Sequence, residues 1–264
     1  MLTTTEAIVI KSMKYRDSSK IVTFYTRRFG KLKGVAKGSR RAKNKFGAAL
    51  EPLSHVSLVL YRKEHQDLSL VSQCDAIRSF GTVQLDMERL SVGLSVLELV
   101  DQLAHEQEEN EALFALLVRT LEALERAPKQ AQTLFRAFQI QVASLLGFAP
   151  SLEVCRDCNR SMSDVEGFGS LAFHHLNGAI ICSNCRKERV AEMKSGYSVI
   201  SPSTFQLLRR FLSVSTESLS SLSYNEQVGN ELDETLRLYL RNHFEHLKPI
   251  RSLQMFKSGV STRF

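Results

Sequence analysis

The hydrophobic pattern of this chain changes period once, near residue 80, and that change constrains its architecture more than any other feature. Before it, apolar residues recur at every second position, the repeat of a strand with one buried face. EAIVIKS sets Ala7 and Val9 on one face and Ile8 and Ile10 on the other. KIVTFYT is β-branched and aromatic, Phe29-Gly30 supplies a turn, and KLKGVAK, LSHVSLVLY and DLSLVSQ follow. Five such runs in about 75 residues, with no helical period between them, predict a small closed or sandwiched β-domain.

From about residue 82 the spacing becomes three and four, as a helix with one buried stripe requires. Leu90, Leu94, Leu97, Val100 and Leu103 mark a first helix; Leu113, Leu116, Leu117, Leu121 and Leu124 mark a second, stopped by Pro128. Leu134, Phe135, Phe138, Val142, Leu145 and Leu146 make a third, ended by Gly147 and Pro150. After a cysteine-rich segment, Ser201-Pro202 reads as an N-cap with proline at the first helical position. It opens a helix carrying Phe205, Leu208, Phe211 and Leu212, and a longer one runs from about Asn225 through Leu232, Leu236, Leu240 and Phe244. The expected fold is multidomain α+β: a β-domain at 1–80, a helical domain from 81–150 and 190–264, and an insertion at 151–189.

The insertion carries the sharpest local signal. Cys155 and Cys158, then Cys182 and Cys185, form two C-x-x-C turns separated by twenty-three residues. Each turn aims two sulfurs at one point, and two turns complete a tetrahedron around Zn²⁺, at the spacing of a zinc ribbon. LAFHH and NGAIICSNC read as two strands joined at Asn177-Gly178. Four thiolates leave no position for water or substrate, so the expected zinc is structural, one per chain, and stands in for a core this segment cannot build. His174 and His175 are expected to be ordinary strand residues, and Cys74 a small buried apolar side chain. Five cysteines, no apolar run near the about 18 residues of a membrane span, and no leader pattern point to the cytoplasm.

Charge is distributed unevenly. Residues 1–50 hold thirteen Lys/Arg against Glu6 and Asp17, a net of +11; the remainder holds 22 basic against 26 acidic residues, a net of −4. Residues 82–130 alone carry ten acids against four bases, which reads as a solvated helical face. The basic excess peaks in GKLKGVAKGSRRAKNKF, with Lys31, Lys33, Lys37, Arg40, Arg41, Lys43 and Lys45 and no acid. Nucleic acid is the partner such a run fits best: the cations displace counterions, and Gly30, Gly34 and Gly38 let the backbone approach phosphates. Tyr15, Phe24, Tyr25, Phe29 and Phe46 interleave with the charges and offer stacking surfaces, two or three of them being needed for the core. No phosphate-cradling, nucleophile-elbow, zinc-protease or dinucleotide motif is present, so the chain reads as a binding protein and not an enzyme. The alternatives are an RNA- or ribosome-associated zinc-ribbon protein and a DNA-modifying enzyme with an unrecognised site.

EAIVIKSMKYRDSSKIVTFYTRRFGKLKGVAKGSRRAKNKFGAALEPL resembles the N-terminal domain of the RecO family of bacterial recombination mediators. The likeness continues through the helical middle, the four-cysteine ribbon and the final YLRNHFEHLKPIRSL, although HFEHLKPIRS lacks a glycine found after the leucine in many relatives. The resemblance implies that the β-domain is an oligonucleotide/oligosaccharide-binding (OB) barrel, followed by an all-α domain with the inserted zinc ribbon. It implies binding of single- and double-stranded DNA, annealing of complementary strands, and action with RecR in loading RecA onto DNA coated by single-strand-binding protein (SSB). By the same resemblance RecF is expected as a further functional partner, no membrane is expected to take part, and the expected location is cytoplasmic at the nucleoid. It further implies a site in the helical domain for the acidic C-terminal tail of SSB, for which Arg136, Arg209 and Arg210, near Phe138 and Phe211, are candidates.

Overall fold

The computed structural model describes residues 1–62, 68–126, 129–163, 169–188 and 196–253, leaving out the side chains of residues 217, 220 and 221. Pro128, the expected stop of the second helix, lies outside the described residues. The chain forms two compact units: residues 1–131 together with the segment from Lys248, and residues 132–247.

The first unit begins with five strands, β1 (Leu2–Tyr15), β2 (Ser19–Thr26), β3 (Gly30–Ala36), β4 (His55–Tyr61) and β5 (Leu68–Arg78). They close into a barrel in the order β1-β2-β3-β5-β4, which is an OB-type barrel. β3 and β5 pair in parallel, Val35 opposite Leu70, and every other pair, including the closing β1–β4 pair, is antiparallel. Alternation sorts the side chains: Val9, Val22, Phe24, Leu32, Leu58, Leu60 and Val71 fill the interior. Ile8, on the opposite face of β1, is fully buried as well, because α2 packs against that strand.

Three helices follow, α1 (Gly81–Gln84), α2 (Met87–Leu103) and α3 (Glu111–Arg126). The side chains of Asp86 and Asn110 accept the N–H groups of Arg89 and Leu113 and so satisfy the starts of α2 and α3. The Glu98 carboxylate on α2 accepts backbone N–H groups from Arg251 and Ser252, which ties the segment after Lys248 to this unit.

The second unit holds α4 (Ala131–Leu145, all but its first residue), β6 (Ser151–Cys155), β7 (Leu171–His174), β8 (Ala179–Ile181), α5 (Ser183–Glu188), β9 (Tyr197–Ile200), α6 (Pro202–Ser213) and α7 (Glu226–His243). The expected caps are present: Ser201 Oγ accepts from Thr204 N with proline at the start of α6, and Asn225 Oδ1 accepts from Val228 N at the start of α7. β7 and β8 form the hairpin expected at Asn177-Gly178, with Gly178 at φ +63°. The hairpin sits in a four-stranded sheet, order β6-β8-β7-β9, against α7, where the Phe173 and Tyr239 rings meet edge to face at 5.3 Å.

Candidate nucleic-acid interface and metal centre

The seven basic residues of the 31–45 stretch separate into two groups. Lys31 Nζ donates to the Asp101 carbonyl at 2.5 Å and lies 3.6 Å from its carboxylate; Lys33 Nζ contacts Glu106 at 2.5 Å. The hydrogen bond from Lys33 is the main reason the Glu106 carboxyl sits below its usual pKa. Arg27 similarly meets Glu111, and Arg78 meets Glu122 and Glu125. The acids of residues 82–130 are therefore not simply a solvated face, since five of them hold basic groups of the barrel. Oppositely charged blocks within one unit pair with each other before either meets a partner.

Lys37, Arg40, Arg41, Lys43 and Lys45 follow β3 in the connection to β4; all five are exposed, and none pairs with a carboxylate among the described residues. The connection is nonetheless well anchored. Arg40 donates to the carbonyls of Arg16 and Asp17 in the β1–β2 turn, and Lys45 donates to the Ser72 carbonyl on β5. Asn44 Oδ1 accepts the N–H groups of Phe46 and Gly47, at 2.9 Å each, and Phe46 is buried in the barrel interior. Cations held on an ordered connection lose less rotamer freedom on binding a phosphate chain than cations on a loose one.

Two of the three glycines expected to approach phosphates serve packing instead. A Cβ on Gly30, at φ +58°, would lie 1.9 Å from the Glu108 carbonyl oxygen. On Gly34 it would enter the barrel interior, 2.7 Å from Val71. Gly38, at φ +72°, meets only the Arg41 side chain within 4 Å. Of the aromatic candidates, Phe24, Tyr25 and Phe46 are buried, and burial pushes the Tyr25 hydroxyl up to about 12. Phe29 is partly buried against the barrel core, with the Arg62 guanidinium 4.5 Å from its ring centre. Tyr15 remains at the surface, lining two depressions of about 360 and 380 Å³ with Arg16, Val35 and Lys37. The first adds Ser18, Gly38 and Arg41; the second adds Tyr61, Leu68 and Leu70. Sequence reading missed Tyr61, which alternation showed only as the last residue of a strand.

In the second unit the ligand atoms of Cys155, Cys158, Cys182 and Cys185 lie within 4.8 Å of one another, and the group contains no other residue type. The Sγ atoms of Cys158 and Cys182 are 3.8 Å apart. That is the edge of a tetrahedron with metal–sulfur bonds of about 2.3 Å, and far from the about 2.05 Å of a disulfide. Burial disfavours the Cys155 thiolate, but N–H groups from Cys182, Cys158 and Asp157 outweigh it and bring the pKa to about 7. Burial raises Cys182 and Cys185. The cluster can hold a metal ion, and its all-sulfur donor set favours a soft or borderline one. His174 and His175 have partners of their own, Asn177 Oδ1 at 2.6 Å and Ser198 Oγ at 2.8 Å. Cys74 is a barrel-core residue whose thiol burial pushes up to about 12.

Among the arginines considered for a tail site, Arg136 is engaged: Nε and Nη2 meet Asp233 at 2.7 and 2.8 Å, and Nη1 meets Tyr224. Phe138 and Phe211 are core residues, 1% and 0% exposed. Arg209 and Arg210 do line a cavity of about 470 Å³, with Pro150, Leu152, Glu153 and Leu212, and Arg209 itself meets Glu153 at 3.3 Å and donates to the Met162 carbonyl.

One chain thus combines an OB-type barrel, whose basic connection meets no carboxylate among the described residues, with a largely helical unit that carries a four-cysteine cluster able to hold a metal ion. No helix among the described residues is long and apolar enough to cross a membrane. The family model "Recombination protein O N terminal" matches residues 1–80, and "Recombination protein O C terminal" matches residues 84–254. A DNA repair protein RecO of Salinibacter ruber is 32% identical over 248 residues, covering 94% of this chain and 90% of that protein. One of Chloroherpeton thalassium is 31% identical over 264 residues, covering 98% and 100%. The chain belongs to the RecO family of DNA repair proteins.

Proposed function

We propose that this protein is a non-catalytic recombination mediator that binds single- and double-stranded DNA on its barrel and anneals complementary strands. With RecR, and with RecF as a further functional partner, it helps place RecA on SSB-coated DNA in the cytoplasm. The observation that carries this reading is the connection after β3, where five exposed cations with no carboxylate partner among the described residues occupy nine residues beside a depression lined by Tyr15, Arg16 and Val35. Phosphate contacts of this kind position a strand without reading its sequence, as a mediator working on any gap requires. Two strands neutralised on one surface repel each other less, which is a sufficient physical route to annealing. Lys31 and Lys33, engaged by Asp101 and Glu106, contribute less to DNA than the five residues from Lys37 to Lys45.

The metal is read as zinc with a structural role, because four cysteine ligands close its coordination sphere. The Arg209–Arg210 cavity is read as the site for the SSB tail: Leu152, Leu212 and Pro150 receive an apolar terminus and the guanidinium groups face its acids. R209A/R210A should lower affinity for a peptide of that tail by tenfold or more and leave DNA affinity unchanged; an unaltered peptide affinity would remove the assignment. R40A/R41A should slow annealing of complementary oligonucleotides and leave tail binding intact. A variant that anneals at the wild-type rate would contradict the DNA reading, and tight binding of structured RNA with none of single-stranded DNA would replace it with an RNA-binding role.

A further inference from the structure

Beside the cations, the barrel surface carries a feature that phosphate binding does not use. Tyr61, Leu68 and Leu70 are 46%, 36% and 37% exposed and line one depression with Tyr15. Strand register explains how they gather. Leu58, Leu60, Val71 and the Cβ position of Gly34 point inward, so their neighbours Tyr61, Leu70 and Val35 point outward. Leu70 lies opposite Val35 on β3 and opposite Tyr61 on β4, so the three side chains form one row across adjacent strands. At about 4.8 Å between strands the row spans about 10 Å, enough to underlie two or three bases at a rise of about 3.4 Å. Tyr15 flanks it from the end of β1, with the Arg16 guanidinium 5.1 Å from its ring centre.

Large apolar side chains gathered at a surface call for an occupant. Its chemistry follows from the surroundings: Lys37 lines the row, and Arg41 lines the adjoining depression that shares Tyr15, Arg16, Val35 and Lys37 with it. A ligand that sets a flat apolar group on the row and a negative charge on the cations satisfies both. We infer that the row takes the unpaired bases of a single strand, with Tyr15 and Tyr61 as stacking surfaces, and that it sets a preference for single-stranded over duplex DNA. A duplex offers its phosphates to the same cations but keeps its base faces stacked inside. This inference rests on the proposed DNA-binding role of the barrel and adds to it a base-contacting subsite.

The test compares an ordinary single-stranded oligonucleotide with one of equal length built from abasic sites, which keeps the phosphates and deletes the bases. Wild-type protein should bind the ordinary strand about thirtyfold more tightly, two stacked bases at the low end of the measured range. Y15A/Y61A should abolish that preference, keep the wild-type affinity for the abasic strand and for duplex, and keep the wild-type dependence on salt. Y15F/Y61F keeps the rings and should keep the preference. Equal wild-type affinity for the two strands would overturn the inference and leave the phosphate-binding role standing. A loss of abasic-strand and duplex affinity in Y15A/Y61A would also overturn it, since the tyrosines would then support the fold or the phosphate contacts. Absence of binding to all three DNAs would instead overturn the proposed role itself.

Discussion

The two β-structures of this molecule are held together by different means. The barrel has strands of seven to fourteen residues, closes on itself and fills its interior with apolar side chains such as Phe24 and Leu58. The second unit's sheet has strands of three to five residues, is open at β6 and β9, and gathers four cysteines where its hairpin meets its first strand. A long alternating stretch can bury enough surface to hold itself together. A short one relies on its neighbours: Phe173 and Ile180 are buried where the sheet meets α7, and the four cysteines beside them can hold a metal ion.

Metal removal should break the comparison most visibly. Chelation, or C155S/C182S, should cost the second sheet on the order of 10 kcal/mol of metal-linked stability. Amide exchange should rise across 151–188 and stay slow in β1–β5; matching loss of protection in the barrel would mean the two structures are not separately maintained. Phe24→Ala, at a fully buried position, should reduce barrel stability by about 3–5 kcal/mol in urea unfolding, with metal content unchanged. Gly30→Ala should cost the same unit about 2–5 kcal/mol, since the strain of a φ of +58° adds to the displacement of the Glu108 carbonyl oxygen that fills the Cβ position. Gly47→Ala is the control: it shares the positive φ but meets nothing within 4 Å, and should cost about 1–2 kcal/mol from the backbone alone.

The smallest effect expected is a pH dependence. Burial holds His55, His175 and His243 below the usual 6.5, against an opposing pull from Glu6 on His55. Each is neutral when folded, so on acidification the unfolded chain takes up protons first. Stability should therefore be full above pH 6.5 and decline as pH falls through that value. The second unit holds two of the three histidines and should decline more than the barrel. His243→Phe, between the Phe148 and Tyr239 rings, should flatten its profile; an unchanged profile would exclude His243 as a contributor.

Much of this architecture was legible in the sequence because it rests on local rules. Alternation marked the five barrel strands, Ser201-Pro202 and Asn225 marked helix starts, and the C-x-x-C spacing marked the four cysteines that gather into one cluster. What was not legible depends on pairings between distant residues. The parallel β3–β5 contact, the engagement of Lys31 and Lys33 by Asp101 and Glu106, and the outward row of Val35, Leu70 and Tyr61 each join β3 to residues more than 25 positions away. β6 and β9 escaped notice because SLEVC and YSVI are too short for a period to show. Gly30 and Gly34 illustrate the same limit: composition suggested phosphates, but the neighbours that require glycine there are Glu108 and Val71.

The central claim is that the Lys37–Lys45 connection carries phosphate binding, and the salt dependence of single-strand affinity tests it most directly. Each phosphate contact contributes about −0.7 to the slope of log affinity against log salt, so the five cations contribute about −3.5. R40A/R41A should make the slope shallower by about 1.4 relative to wild type, and K31A/K33A, whose cations Asp101 and Glu106 already hold, should change it far less. A slope unmoved by R40A/R41A, or moved chiefly by K31A/K33A, would contradict the account.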